Sequence, residues 1–114
     1  MYSMDIIKPK NDKCEYKHIK LANGPDAILI YDQKSISTYF AISFHVGFRD
    51  DPHDLIGVTH YLEHILHFGS TEYEDISKYD EYCSDNGGEI NATTLQSTTT
   101  FYFYVESDAF EEGL

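Results

Sequence analysis

Three histidines and one glutamate lie within the eight-residue stretch H-Y-L-E-H-I-L-H of this sequence. On a helix, residues three and four positions apart share a face, so His60, Glu63, His64 and His67 would lie on one side. Two imidazoles one turn apart can both ligate Zn²⁺, and a carboxylate beside them can take a proton from a zinc-bound water. The spacing H-x-x-E-H therefore indicates a zinc site; the alternative is a helix face that is merely rich in histidine.

Helices are predicted around and after this stretch. Residues 56–68 have helical spacing of apolar side chains and end at Gly69. A second helix is predicted at residues 75–85, before an Asn-Gly-Gly turn, and a third begins at Ser107 or Asp108, either of which can cap it. The stripe that would face the core of the first helix contains Val58, Leu62, Ile65 and Leu66.

Strands are predicted where apolar and polar side chains alternate or β-prone residues cluster. The first two would form a hairpin around an Asn-Gly turn. The predicted strands are residues 15–21, 27–31, 38–48, 89–96 and 98–106. In the third of them, one apolar face would cover a core with Phe40, Ile42, Phe44, Val46 and Phe48.

Charge and cysteine content restrict the class of protein. The net charge is −12 and the isoelectric point is about 4.6, which argues against nucleic acid or an anionic membrane as a partner. The sequence has no apolar run of the length that a signal peptide or a membrane span requires, so we expect a cytoplasmic protein. Cys14 and Cys83 form no C-x-x-C pair and are expected to be free thiols in a reducing compartment.

Several stretches resemble the insulinase/pitrilysin family of zinc metallopeptidases, and most closely its insulin-degrading branch. The stretch G-V-T-H-Y-L-E-H-I-L-H-F-G-S-T-E-Y is similar to the zinc-site segment of that family, although Glu74 stands where a proline is usual. The run S-K-Y-D-E-Y-C-S-D-N-G-G-E-I-N-A-T-T ends in an N-A-x-T element of the family. Further matches are I-I-K-P-K-N-D-K-C-E-Y-K-H-I-K-L-A-N-G, H-V-G-F-R-D-D-P and T-T-T-F-Y-F-Y-V, so the resemblance covers essentially all 114 residues.

The resemblance implies a fold and a set of site residues. The fold would be α+β, a largely antiparallel sheet with helices packed on one face. The 114 residues would be the N-terminal part of a single insulinase-type peptidase domain, with residues 1–13 loosely ordered. His60 and His64 would bind zinc and Glu63 would be the general base. The family's third ligand is a glutamate that would lie at about position 140, beyond Leu114.

Two further assignments depend on the same resemblance. Asn91, Ala92 and Thr93 would form an edge strand that binds the substrate as an added strand; otherwise they belong to an ordinary strand after a Gly-Gly turn. His67 stands where the family commonly has an apolar residue. It is either a substitute third ligand or a helix-end histidine that faces the missing C-terminal part or is stabilised by the helix dipole. We favour the second interpretation because three histidines on one helix reach a single ion poorly.

The predicted function is that of a zinc metalloendopeptidase, which hydrolyses the peptide bonds of small unfolded peptides through a zinc-bound water. The alternative is a non-catalytic structural or partner subunit related to processing peptidases, although the intact H-Y-L-E-H counts against it. A helix that has barely begun at Leu114 suggests that the natural chain continues. Because the resemblance puts the third zinc ligand beyond Leu114, we expect this fragment to be inactive alone. Its exposed apolar surface and strand edges are expected to make it self-associate.

Overall fold

Antiparallel strands and short helices make up the chain, which confirms the predicted α+β class. The computed structural model describes residues 6–69, 75 and 77–114. The chain divides into two units, one that runs to Ser35 and one that begins at Ile36. The segment predicted to be loosely ordered, residues 1–13, lies partly outside the described residues. The assignment of all 114 residues to one peptidase domain stays a prediction.

The first unit contains the predicted hairpin. β1 (Glu15–Lys20) pairs antiparallel with β2 (Asp26–Tyr31), and the Asn-Gly turn lies between them. The ends of the two strands next to this turn are joined by an ion pair, in which the ammonium group of Lys20 lies 3.1 Å from the carboxylate of Asp26. The register pairs Lys20 with Asp26, so residues 21–25, which contain the Asn-Gly pair, form the turn, and Gly24 has a φ of 112°.

The second unit is built on a three-stranded antiparallel sheet. β3 (Ser37–Phe44) and β4 (Glu89–Thr94) both pair with β5 (Thr99–Glu106), so β5 is the central strand. Aromatic and β-branched residues dominate β5, and such residues suit a strand that is paired on both edges. The register places Thr94 directly opposite Thr99, and opposed residues project from the same face of the sheet.

The third strand is shorter than predicted. It ends at Phe44, whereas the alternation of apolar residues predicted that it would continue to residue 48. The chain turns away because Gly47 approaches the loop between β4 and β5 so closely that a Cβ atom there would lie 2.3 Å from the carbonyl oxygen of Leu95. The Phe48 amide then donates a hydrogen bond of 3.0 Å to that same carbonyl, and a 3₁₀ turn begins.

Among the described residues, three short helices lie on one face of the sheet, as predicted. They are α1 (Val58–Leu66), α2 (Ser77–Asp85) and α3 (Phe110–Gly113). α1 is shorter than the predicted 56–68, because turns replace helix at both ends. α3 begins after Ala109, so the prediction that Ser107 or Asp108 caps it was wrong. None of the helices in the described part of the chain has the length and apolar composition to cross a membrane.

The buried core of the second unit is small and centres on β5. Phe103 is 5% exposed and its ring packs against the rings of Tyr79 from α2 and Phe110 from α3. Val105 and Cys83 are fully buried beside it. Burial raises the pKa of the Cys83 thiol, and both cysteines of the chain are free, as predicted.

Two apolar stripes that the sequence assigned to the core are exposed. The helices cover β4 and β5, whereas the same face of the edge strand β3 has little cover within the described residues. The prediction of a covered face was therefore wrong for these residues, because periodicity identifies an apolar face but not the element that covers it. The exposed side chains are Phe40, Ile42, Phe44, Val46 and Phe48 from the predicted strand, and Val58, Leu62, Ile65 and Leu66 from the first helix.

Replacing Phe103 with alanine is expected to lower the free energy of unfolding by about 3–5 kcal/mol, because the change leaves a cavity between β5, α2 and α3. Urea denaturation followed by circular dichroism measures the loss. The control is Phe68→Ala, since Phe68 is 74% exposed at the end of α1 and its removal should change stability by less than about 0.5 kcal/mol. Equal losses in the two variants would contradict the central place of Phe103 in the core.

Candidate metal centre

The first turn of α1 is fixed by a carboxylate from the preceding loop. Asp51 accepts hydrogen bonds from the backbone amides of Gly57, at 2.6 Å, and Thr59, at 3.0 Å, and from the Thr59 hydroxyl, at 2.5 Å. Gly57 has a φ of 94°, in the left-handed region that favours glycine, and it is the N-cap of the helix. The first backbone amides of a helix have no partner within the helix, and Asp51 accepts hydrogen bonds from two of them. These contacts fix the first turn of α1, which carries His60.

The two histidines of the motif converge. The Nε2 atoms of His60 and His64 lie 3.2 Å apart, and the two rings meet edge to face with centroids 4.6 Å apart. This arrangement follows from their spacing of four residues, which places them one turn apart on the same face of α1. The ring of Phe48 lies 6.0 Å from that of His60 and adds an apolar side to the site.

The separation of these nitrogens suits a zinc ion. Two imidazole ligands with bonds of about 2.0–2.1 Å in a tetrahedral site have nitrogens about 3.3 Å apart. The observed 3.2 Å between the two Nε2 atoms is close to that value. In the described part of the chain, His60, Glu63 and His64 are the one cluster of potential ligands, with ligand atoms within 4.8 Å of one another.

Glu63 is the buried member of the cluster. It is 7% exposed, and its Oε2 atom lies 3.6 Å from Nδ1 of His60. The hydroxyl of Thr94, at the end of β4, donates a hydrogen bond to the same oxygen. Glu63 therefore projects from α1 towards the sheet, while His60 and His64 remain exposed.

His67 lies apart from this cluster. Its ring packs against Phe101 of β5, with centroids 5.9 Å apart, and it is not among the grouped ligand atoms. This placement favours the interpretation of His67 as a helix-end histidine over that of a substitute ligand. Glu74, which stands where the family usually has a proline, lies outside the described residues.

The three residues expected to bind substrate lie on an edge strand. β4 pairs with β5 on one side and with no other strand among the described residues. Asn91 and Thr93 are exposed, and Ala92 is half-buried. The amide of Ala92 donates a hydrogen bond of 2.8 Å to the side-chain oxygen of Asn91.

Sequence reasoning missed one residue of the site, Thr94. It was predicted to lie in a strand, but no role was assigned to it, although it is the threonine that ends the N-A-x-T element. The pattern that could have identified Thr94 is the alternation of side chains along β4, which places Ile90, Ala92 and Thr94 on one face. Contact with Glu63 shows that this face is the one under α1.

Comparisons with known proteins match this chain to one family, and the matched residues include His60, Glu63 and His64. A family model described as insulinase, peptidase family M16, matches residues 27–114. Insulin-degrading enzyme-like 2 of Arabidopsis thaliana is 36% identical over 96% of this chain, and a Schizosaccharomyces pombe protein whose name includes the words zinc protease is 35% identical over 95% of it. The crystal structure of pitrilysin superposes with a TM-score of 0.89 and 33% identity over 98% of this chain.

These matches cover a small part of each relative. The chain spans 11% of the length of the two curated relatives and 12% of the pitrilysin chain. The likeness therefore concerns one segment of much longer proteins.

The stability supplied by Asp51 is expected to depend on pH. Hydrogen bonds from the Thr59 side chain, and then from the Gly57 amide, lower the pKa of Asp51 below its usual value. A lowered folded-state pKa means stability that is present above the unfolded pKa of about 3.9 and is lost as the pH falls through the folded value. Urea midpoints should show Asp51→Ala less stable than the wild type near neutral pH, with a difference that shrinks in acid.

Asp51→Asn is the matched control, since it keeps one acceptor oxygen but does not titrate. Its stability relative to the wild type should rise as the pH falls below about 4. The other carboxylates titrate in all three proteins and cancel in the comparison. A difference between wild type and variant that stays constant from neutral to acidic pH would contradict this role of Asp51.

Proposed function

This chain belongs to the insulinase family, peptidase family M16, and from that premise we propose that it carries part of the zinc centre of a metalloendopeptidase. The reaction would be hydrolysis of peptide bonds in small unfolded peptides. The observation that carries the proposal is the convergence of His60 and His64 at 3.2 Å beside the buried carboxylate of Glu63.

The two imidazoles are the proposed zinc ligands. Both are exposed, and as neutral rings each offers an Nε2 lone pair towards the same point. When bound, Zn²⁺ would supply Lewis acidity that polarises the scissile carbonyl and makes a water molecule a stronger acid.

Glu63 is the proposed general base. The hydrogen bond from Thr94 and the approach of His60 both engage Oε2, so the other oxygen, Oε1, is the one proposed to accept a proton from the attacking water. Passing that proton to the leaving amine would complete the hydrolysis and return the carboxylate to its ionised form. A base within reach of the water and beside the ligands is what this reaction requires.

The proposed substrate site is the open edge of β4. An extended peptide that pairs with Asn91, Ala92 and Thr93 would gain main-chain hydrogen bonds irrespective of its sequence, which suits unfolded peptides. The exposure of Asn91 and Thr93 supports this use. Such a peptide would compete with the contact between the Asn91 side chain and the Ala92 amide.

The described cluster has two histidines and one carboxylate, and a catalytic zinc site takes three protein ligands. If Glu63 is the base, one ligand is still needed. We therefore propose that the 114 residues alone have no useful peptidase activity. We also propose that they self-associate through the exposed apolar side chains of β3, which include Phe40, Ile42 and Phe44.

The zinc site is tested by metal content. Elemental analysis of the whole gene product is expected to find about one zinc per chain in the wild type and little zinc when His60 and His64 are both replaced by alanine, because each replacement removes a ligand. His53→Ala is the matched control, because His53 is an exposed histidine in the loop before α1. Retention of zinc by the double variant would refute the assignment of these ligands.

The role of Glu63 is tested by replacing it with glutamine, which keeps its shape and removes the basic carboxylate. With a quenched fluorescent peptide and the whole gene product, Glu63→Gln should lower kcat by about 10²–10⁴-fold while zinc content is retained. Glu81→Gln on the exposed face of α2 should leave both unchanged. Loss of zinc from the Glu63 variant would identify Glu63 as a ligand instead of a base.

A further inference from the structure

We propose that Thr94 is a positioning residue for Glu63. Its hydroxyl would hold the buried carboxylate in the one orientation from which it accepts a proton, and it would keep that carboxylate from turning to the metal. The inference rests on the proposed function, because it assigns Glu63 the role of general base. Thr94 is not part of the motif on α1, and it is not among the residues of β4 that are proposed to bind substrate.

Burial makes the contact necessary. Glu63 is 7% exposed and Thr94 is 9% exposed. An ionised carboxylate loses much hydration when it is buried, and the loss is offset only by hydrogen bonds to it. Among the described residues, every buried side-chain nitrogen and oxygen has a hydrogen-bond partner, and for Glu63 the donor is Thr94.

The direction of the hydrogen bond follows from the chemistry of the two groups. An ionised carboxylate can only accept, so the Thr94 hydroxyl must donate, and hydrogen bonds to a charged acceptor are stronger than neutral ones. The donor takes Oε2, which is also the oxygen that faces Nδ1 of His60 at 3.6 Å. Oε1 is thereby left as the oxygen for proton transfer.

The donor stands on a rigid support. Thr94 is the last residue of β4, where the register with β5 pairs it with Thr99. Threonine is β-branched, which restricts rotation about χ1 and keeps the hydroxyl in place. Thr94 is held by the sheet and Glu63 by the helix, so the contact joins two elements whose residues are 31 positions apart.

Thr99 provides a matched control at the same level of the sheet. It is 6% exposed, and its hydroxyl donates a hydrogen bond of 2.9 Å to the carbonyl of Val46. Thr94 and Thr99 are thus cross-strand partners of the same type and similar burial, and the hydroxyl of each donates a hydrogen bond. One of these bonds reaches the proposed base, and the other only secures the chain after β3.

The first measurement is kinetic and uses the whole gene product with zinc. Thr94→Val is expected to lower kcat by about 10–100-fold, with KM and zinc content near the wild type. Thr94→Ser, which keeps the hydroxyl, should recover most of the rate. Thr99→Val should lower the unfolding temperature but leave kcat near that of the wild type.

A double-mutant cycle separates positioning from a general structural defect. In a Glu63→Gln background, Thr94→Val should cause little further loss, because the group that Thr94 positions is already absent. A loss of the same factor in both backgrounds would overturn the inference. So would equal losses of kcat in Thr94→Val and Thr99→Val.

The second measurement needs neither zinc nor activity. In this 114-residue chain, the carboxyl ¹³C resonance of Glu63 is identified as the one missing from the Glu63→Gln spectrum. Thr94→Val should shift that resonance at neutral pH, whereas Thr94→Ser and Thr99→Val should leave it near its wild-type position. If the wild-type whole gene product, loaded with zinc, hydrolyses no peptide but the resonance of the 114-residue chain shifts as expected, the proposed function fails and the contact stands. An unmoved resonance overturns the positioning role itself.

Discussion

A buried carboxyl group must be hydrogen-bonded, and in the second unit of this chain Glu63 meets that requirement through a contact between a helix and the sheet. Glu63 projects from α1 into the sheet, where it reaches the hydroxyl of Thr94. This contact requires α1 to lie over the end of β4, and β4 is held in turn by β5. His60 and His64 converge on the exposed side of the same helix because they lie one turn apart.

Local patterns predicted much of the fold and the core of the site. The spacing of His60, Glu63 and His64 on one helix turn depends only on helical geometry, so their proximity is readable from sequence alone. The strong β-propensity of β5 and the Asn-Gly turn of the hairpin are likewise local properties. These predictions held because each depends on residues within a single segment and not on contacts with distant parts of the chain.

The features that were missed depend on contacts between distant segments. The contact of Thr94 with Glu63 spans 31 residues and exists only in the folded register. The end of β3 at Phe44 is set by the close approach of Gly47 to Leu95, which no alternation pattern contains. The exposure of Phe40 and its neighbours on β3 depends on where the helices lie, and periodicity does not determine that.

The dependence of β4 on β5 has a consequence for synthesis on the ribosome. α1 is complete once Leu66 has been added, and its two imidazoles can meet as soon as the helix forms. The hydroxyl that holds Glu63, however, is fixed in place only after the residues up to Glu106 have emerged and paired. A nascent chain would thus present the proposed metal-binding helix before Thr94 is in place to hold the proposed base, and any ion captured in that interval would meet an incomplete site.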